Sequence, residues 1–250
     1  MEQIRKPFQG VLNIIKFNWH FYLLSVVFLC GLLILNNYLS AYFYILLLFS
    51  LTLATTLISL FVSFYVYDVS NLYKLNWLDD SNEKIEIVNI SAGFDETSSL
   101  LKSKFRNANL TILDFYNPKT HTEISIKRAR KAYPAFPNTK EITTSNLTLR
   151  DNSADKVFVT LSAHEIRNED ERIIFFNELN RILKPNGQIF VTEHLRDIAN
   201  FLAYNIGFFH FLPKKSWYKT FEKSKLNIKS EQKITPFITT FTLEKYGDST

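Results

Sequence analysis

Glu178-Leu179-Asn180-Arg181-Ile182-Leu183-Lys184-Pro185-Asn186-Gly187-Gln188-Ile189-Phe190-Val191 decides how the second half of this chain folds. A helical stretch runs into Lys184-Pro185-Asn186-Gly187, where Pro185 stops the helix and Gly187 is expected to supply the positive φ of a reversal. The β-rich run Gly187 to Glu193 leaves that turn. Helix, tight turn and apolar strand together are one step of an alternating α/β chain.

The same alternation extends in both directions. Strands are expected at Lys84 to Ile90, Leu110 to Asp114, Lys140 to Thr144 and Lys156 to Leu161, before the one already read. Helices are expected at Glu96 to Lys104, Thr122 to Ala132, Asn168 to Leu183 and Asp197 to Phe209, and two β-rich runs, Leu226 to Ser230 and Ile238 to Leu243, close the chain. Such an order predicts a parallel sheet with helices on both faces.

The first 70 residues are different material. Their only charges are Glu2, Arg5, Lys6, Lys16 and Asp68. His20 to Leu35 is apolar or weakly polar, and Ala41 to Tyr67 has no charge at all, so each approaches the roughly 20 helical residues that cross a bilayer. Asn36-Asn37-Tyr38 is a polar break able to turn a hairpin. Arg5, Lys6 and Lys16 precede the first apolar run and Lys74 follows the second, while the turn is uncharged. The positive-inside rule then puts both termini in the cytoplasm. Trp19, Tyr22, Tyr65, Tyr67, Tyr73 and Trp77 are expected to form an interfacial aromatic belt. We therefore expect a transmembrane hairpin in residues 1–70, with bilayer contact through residues 17–67, a linker at 71–83 around Asp79-Asp80-Ser81-Asn82-Glu83, and one cytoplasmic α/β domain at 84–250. A cleaved signal peptide is disfavoured, because no small-residue cleavage pattern follows the first run and a longer apolar run does.

The net charge of +5 carries no long basic run, so nucleic acid is not an expected partner; a membrane surface is. Cys30 is the only cysteine, which excludes a disulfide within the chain and a cysteine metal cluster.

Three stretches carry a resemblance to the class I S-adenosylmethionine-dependent methyltransferases, over roughly Lys84 to Leu243. The segment quoted first is similar to the family's passage from the helix after strand four into strand five. Leu147-Thr148-Leu149-Arg150-Asp151-Asn152-Ser153-Ala154-Asp155-Lys156-Val157 resembles its loop into strand four, with an Asp-x-Ser-x-Asp pattern. Val88-Asn89-Ile90-Ser91-Ala92-Gly93-Phe94-Asp95 stands where the family has an acid and a glycine-rich turn after strand one. Here Asn89 replaces the acid, and of the glycines Gly93 alone remains.

The resemblance implies a seven-stranded Rossmann-like sheet, its last strand inserted antiparallel, and S-adenosylmethionine as cofactor. It places the cofactor on the turn Asn89, Ile90, Ser91, Ala92 and Gly93, where backbone amides at a strand-to-helix junction approach a ligand closely. Asp114, about twenty residues on, is expected to accept ribose hydroxyls. Phe115 is expected against adenine, with Thr144 and Ser145 nearby and Leu161 and Ser162 at the exit of strand four. Methyl transfer needs alignment and, for a hydroxyl acceptor, loss of a proton. His164, after strand four, and His194, after strand five, lie at the carboxyl edge where open α/β sheets bind ligands, and are the candidate catalytic groups. They are too few to argue for a metal.

The anchor and the aromatic stretch Phe201 to Pro213 suggest a small or lipophilic acceptor at the membrane. A catalytically inactive methyltransferase fold serving as a membrane-bound assembly module is the alternative. A nucleotide-dependent oxidoreductase is disfavoured by the lack of Gly-x-Gly-x-x-Gly after strand one.

Overall fold

The computed structural model describes residues 5–39, 41–78 and 83–247. Three N-terminal helices, α1 (Gln9–Phe17), α2 (Trp19–Leu35) and α3 (Tyr42–Phe64), precede the sheet, and α3 continues as a wider π turn over Tyr65–Val69. The rest alternates: β1 (Glu86–Ser91), α4 (Ser98–Lys104), β2 (Asn109–Asp114), α5 (Ile124–Ala132), β3 (Lys140–Glu141), β4 (Ala154–Thr160), α6 (Glu169–Ile182) and β5 (Leu183–His194). Then come α7 (Ile198–Tyr204) with a 3-10 turn to His210, α8 (Lys214–Lys223), β6 (Leu226–Thr235) and β7 (Ile238–Lys245).

The strands form one sheet in the order β3-β2-β1-β4-β5-β7-β6. Strands β1 to β5 pair in parallel, and β7 enters antiparallel between β5 and β6. The period of two sends alternate residues to opposite faces. Val88, Ile90, Val157, Val159, Ile189 and Val191 meet Phe175, Phe176 and Leu179 of α6 and Trp217 and Phe221 of α8. Their neighbours Ile87, Phe158 and Phe190 meet Leu101 of α4 and Phe105 just after it. Both faces are therefore covered, as parallel sheets require.

Several expectations need correction. Lys184-Pro185-Asn186-Gly187 is no reversal between helix and strand: Leu183 already pairs with Ala154, and the ladder resumes at Gln188 opposite Lys156, so the four residues bulge within β5. Gly187 has no positive φ. It is glycine because a Cβ there would stand 2.7 Å from Leu183 Cδ1 and 3.0 Å from the Ala154 carbonyl oxygen. The third strand shrinks to Lys140–Glu141, and α8 was not foreseen.

The first apolar run, His20 to Leu35, lies within α2, and the residues ahead of it form a separate helix. Gln9–Phe17 and Trp19–Leu35 meet at a 74° bend. α1 lies on the sheet domain: Asn13 Oδ1 accepts from the Tyr133 hydroxyl at 2.7 Å, and Arg128 donates to the Phe17 carbonyl at 2.6 Å. Gly10 permits this, because a Cβ would come within 2.4 Å of Tyr67 Cβ. Asp68 accepts the free N–H groups of Gly10 and Val11 at 2.7 and 2.8 Å, which caps α1 and matches its helix dipole.

Nor are Tyr67, Tyr73 and Trp77 a belt. The Tyr67 hydroxyl bonds His194 Nε2 at 2.8 Å, the Tyr73 hydroxyl donates to Glu96 at 2.6 Å under the Arg5 guanidinium, and Trp77 packs on Phe190. Of the expected linker, Leu72, Leu75 and Leu78 are buried in the core, and residues 79–82 lie outside the described residues.

Candidate functional site

The carboxyl edge of β1 and β2 builds the central hollow. Beyond β1 the chain turns at Gly93, whose φ of 87° is a conformation that L side chains rarely adopt. Asn89, buried near the end of β1, holds that bend from inside. Its amide donates to Ser98 Oγ at 2.8 Å and Asp95 Oδ1 at 3.2 Å, and its oxygen accepts from the Thr97 hydroxyl at 3.1 Å. Asp95 Oδ1 also accepts the N–H groups of Thr97 and Ser98, so the bend is tied to the start of α4. Asn89 thus braces the bend and does not line the central hollow.

Ser91, Gly93 and Asp114 line one hollow of about 250 Å³, together with Phe94, Asp95, Tyr133, Pro134, Ala135, Phe136 and Thr139. Gly93 and Asp114 do converge, as an adenosine site requires. Arg130 reaches two of these residues, Asp114 and Gly93. Its guanidinium pairs with Asp114 Oδ2 and covers the Tyr116 ring, and a Cβ on residue 93 would stand 2.6 Å from its Nη1 and 2.7 Å from its Cδ. Asp114 Oδ1 accepts from the Tyr116 N–H at 2.8 Å, so both carboxylate oxygens are engaged. The donor set suits an adenosine cofactor once Arg130 withdraws: a glycine the ligand can approach, and an acid for two hydroxyls.

Other expected cofactor residues lie elsewhere. Ile90 and Ala92 are core. Phe115 is buried against Phe175 and His121 and does not line the hollow. Thr144 donates to Glu171 at 2.8 Å, and Ser145 is exposed beside Thr143. Ser162 is buried, its hydroxyl on the Ile90 carbonyl, and Leu161 packs toward α3 and α7. The Tyr133-Pro134-Ala135-Phe136 wall was missed. An aromatic and proline-rich loop after α5 was its only signal in the sequence.

The two histidines differ in kind. His164 follows β4 on a single 3-10 turn, with Nδ1 2.6 Å from Glu193 Oε2 and Nε2 3.3 Å from Glu165 Oε1. Burial would depress its imidazole, but Glu193 and Glu165 outweigh that and hold it up at about 10. A ring so charged at neutral pH orients groups and takes no proton. His194 is fully enclosed, bonded to Tyr67 and to Asn200 Oδ1 at 2.9 Å and stacked on Phe211. Burial pushes it down to about 4 despite the Asn200 bond. Both its nitrogens are spent on neighbouring side chains, so a catalytic role is not supported and a packing role is.

Residues 88–191 match a family model described as a methyltransferase domain. No curated protein matches the chain. Among solved structures the fold is similar to a SAM-dependent methyltransferase from Aquifex aeolicus, at 12% identity over 70% of this chain and 93% of that one, with a TM-score of 0.51. It is similar to another from Methanosarcina mazei, at 16% identity over 69% and 96%, TM-score 0.50. A protein from Pyrococcus horikoshii matches at 13% identity over 70% and 88%, TM-score 0.52. Residues 88–191 thus resemble a methyltransferase domain, and the sheet around them has the fold seen in S-adenosylmethionine-dependent methyltransferases.

Proposed function

We propose that this protein transfers a methyl group from S-adenosylmethionine to a small or lipophilic acceptor at the cytoplasmic surface of a membrane, to which α2 and α3 anchor it. The observation that carries the reading is that Gly93 and Asp114 line one hollow at the carboxyl edge of adjacent strands. The cofactor supplies an electrophilic methyl group on a sulfonium. The Gly93 backbone admits it, Asp114 accepts its ribose hydroxyls, and Tyr133 and Phe136 exclude water. His164, fixed by Glu193, is a positioning residue beside that edge.

Two features support the anchor. The residues from Tyr42 to Val69 are long and apolar enough to cross a bilayer, and α2 with α3 leaves Leu24, Val27, Ile34, Phe43, Leu46 and Phe61 exposed. α1 precedes the first apolar helix and the sheet domain follows the second, yet the two are in contact, so the apolar pair enters and leaves on one side. Ile198, Leu202, Ile206 and Phe209 form a further exposed apolar face on α7 and its 3-10 turn. α7 packs on α3, so this face continues the apolar surface toward a lipophilic acceptor.

The pairing of Arg130 with Asp114 favours a second reading, an inactive fold that serves as a membrane-bound assembly module. Binding of labelled S-adenosylmethionine to the full chain in detergent separates the two. Saturable binding, lost in Asp114→Asn and Gly93→Val, supports the enzyme. No binding at millimolar cofactor supports the module. Incubating loaded protein with a membrane lipid extract then tests the acceptor class by label transferred to the organic phase.

A further inference from the structure

At the carboxyl end of β4, three segments that are distant in sequence meet in a second polar cluster. His164 and Glu165 come from the turn after β4, His210 from the end of the 3-10 turn after α7, and Glu123 from the start of α5. Glu165 Oε1 stands 3.3 Å from His164 Nε2 and 3.7 Å from His210 Nε2, and one ligand atom from each of the three residues lies within 4.8 Å of the others. Neighbouring ligands around a tetrahedral zinc-like ion, bound at about 2.0–2.1 Å, are about 3.4 Å apart. The two contacts of Glu165 are therefore near that spacing.

The outer contacts have the same pattern. His164 Nδ1 donates to Glu193 Oε2 at 2.6 Å, and His210 Nδ1 lies 3.4 Å from Glu123 Oε1. His164 thus has a carboxylate behind Nδ1 and turns Nε2 toward Glu165, as metal-ligating histidines do, whereas His210 Nδ1 accepts from Arg167 and must pass to Glu123 as a donor before its Nε2 is free to ligate. Glu165 is 2% exposed, and its second oxygen has no hydrogen-bond partner. Glu123, Glu165 and Glu193 bring three negative charges against Arg167 and the protonated His164, and a divalent cation that displaces the His164 proton brings the cluster to neutrality.

We propose that His164 Nε2, Glu165 and His210 Nε2 bind a divalent transition-metal ion of the zinc class, with Glu193 and Glu123 as the supporting carboxylates. Arg167 Nη2 touches both Glu123 Oε1, at 3.3 Å, and His210 Nδ1, at 2.5 Å. Loading shifts the guanidinium onto Glu123 alone. Three protein ligands leave a fourth position for water or an oxygen ligand, the arrangement of reactive rather than purely structural zinc sites. The His210 side chain is 28% exposed, so an ion can enter from solvent.

The test uses the full chain in detergent, stripped with chelator and titrated with Co²⁺, whose visible absorption reports coordination number, and then with Zn²⁺ in competition. One ion per chain, with the absorption of a four- or five-coordinate site, is expected. His210→Gln and Glu165→Gln should each weaken binding at least tenfold, and Glu123→Gln about tenfold, as for an outer carboxylate. His20→Gln should change nothing. His210 and Glu123 are partly exposed, so these variants should keep the parent circular dichroism if Glu165→Gln does not. Absence of Co²⁺ binding, or binding that His210→Gln and Glu123→Gln leave unchanged, overturns the proposal.

Discussion

Arg130 decides what the hollow can hold. A ligand that needs Asp114 must displace the guanidinium, and a partly exposed ion pair is worth about 1 kcal/mol or less, roughly a fivefold factor. Arg130→Ala is accordingly expected to tighten S-adenosylmethionine up to about fivefold in equilibrium dialysis, while Asp114→Asn weakens it tenfold or more. Weaker binding by Arg130→Ala than by the parent would sink the competition. His194 makes a prediction about pH. Its folded value of about 4 lies below the ordinary 6.5, so the unfolded chain takes up the proton first, and stability falls as pH drops from about 6.5 toward 4, by on the order of 3 kcal/mol. Above 6.5 the ring is neutral in both states and contributes no slope. The melting temperature of His194→Gln should fall less over that interval than the parent's; parallel curves would refute the assignment. At this scale Gly93 and Asp114 were legible through the family resemblance, because a glycine after one strand and an acid at the end of the next keep their places along the chain. Arg130, the brace made by Asn89 and the cluster at Glu165 were not, since each depends on where a second segment lands.

Among the elements, α1 was the least foreseeable. Its residues Gln9 to Phe17 read as the approach to an apolar span, yet they form a separate helix bent by 74° from α2 and seated over Phe94 and Tyr133. The seat depends on Asp68, which accepts two N–H groups from the first turn. Removing such a cap costs about 0.5–2 kcal/mol. Asp68→Ala should therefore expose the N-terminal segment to limited proteolysis well before the sheet domain is cut, and equal cleavage of Asp68→Ala and parent would count against the capping role. The strand and helix alternation of the second half was read correctly because local periodicity carries it. The bulge at Lys184 to Gly187 was misread because proline and glycine mark a turn and a bulge alike, and only the neighbouring strand distinguishes them.

For the whole molecule, the proposed bilayer contact can be tested with the native chain. Cys30, its one cysteine, is exposed on α2. In sealed vesicles a membrane-impermeant maleimide should leave it unlabelled until detergent is added; prompt labelling in intact vesicles would rule out burial of α2 in lipid. Replacing Ile198, Leu202 and Ile206 on α7 by serine should leave the protein membrane-bound, because α2 and α3 remain, but reduce transfer to a lipophilic acceptor several-fold relative to a water-soluble one. An unchanged ratio would detach that face from acceptor delivery.

Composition and periodicity by themselves determined the apolar N-terminal third and the alternating α/β remainder, because each follows from residues adjacent along the chain, and the family resemblance of the same sequence pointed to Gly93 and Asp114. The docking of α1, the closure of the hollow by Arg130, the role of Tyr67 and Tyr73 as internal ties, and the convergence of His164, Glu165 and His210 were decided only by tertiary structure. Those features join segments up to 127 residues apart, as Tyr67 and His194 are, and their geometry is set by packing against the sheet rather than by local spacing.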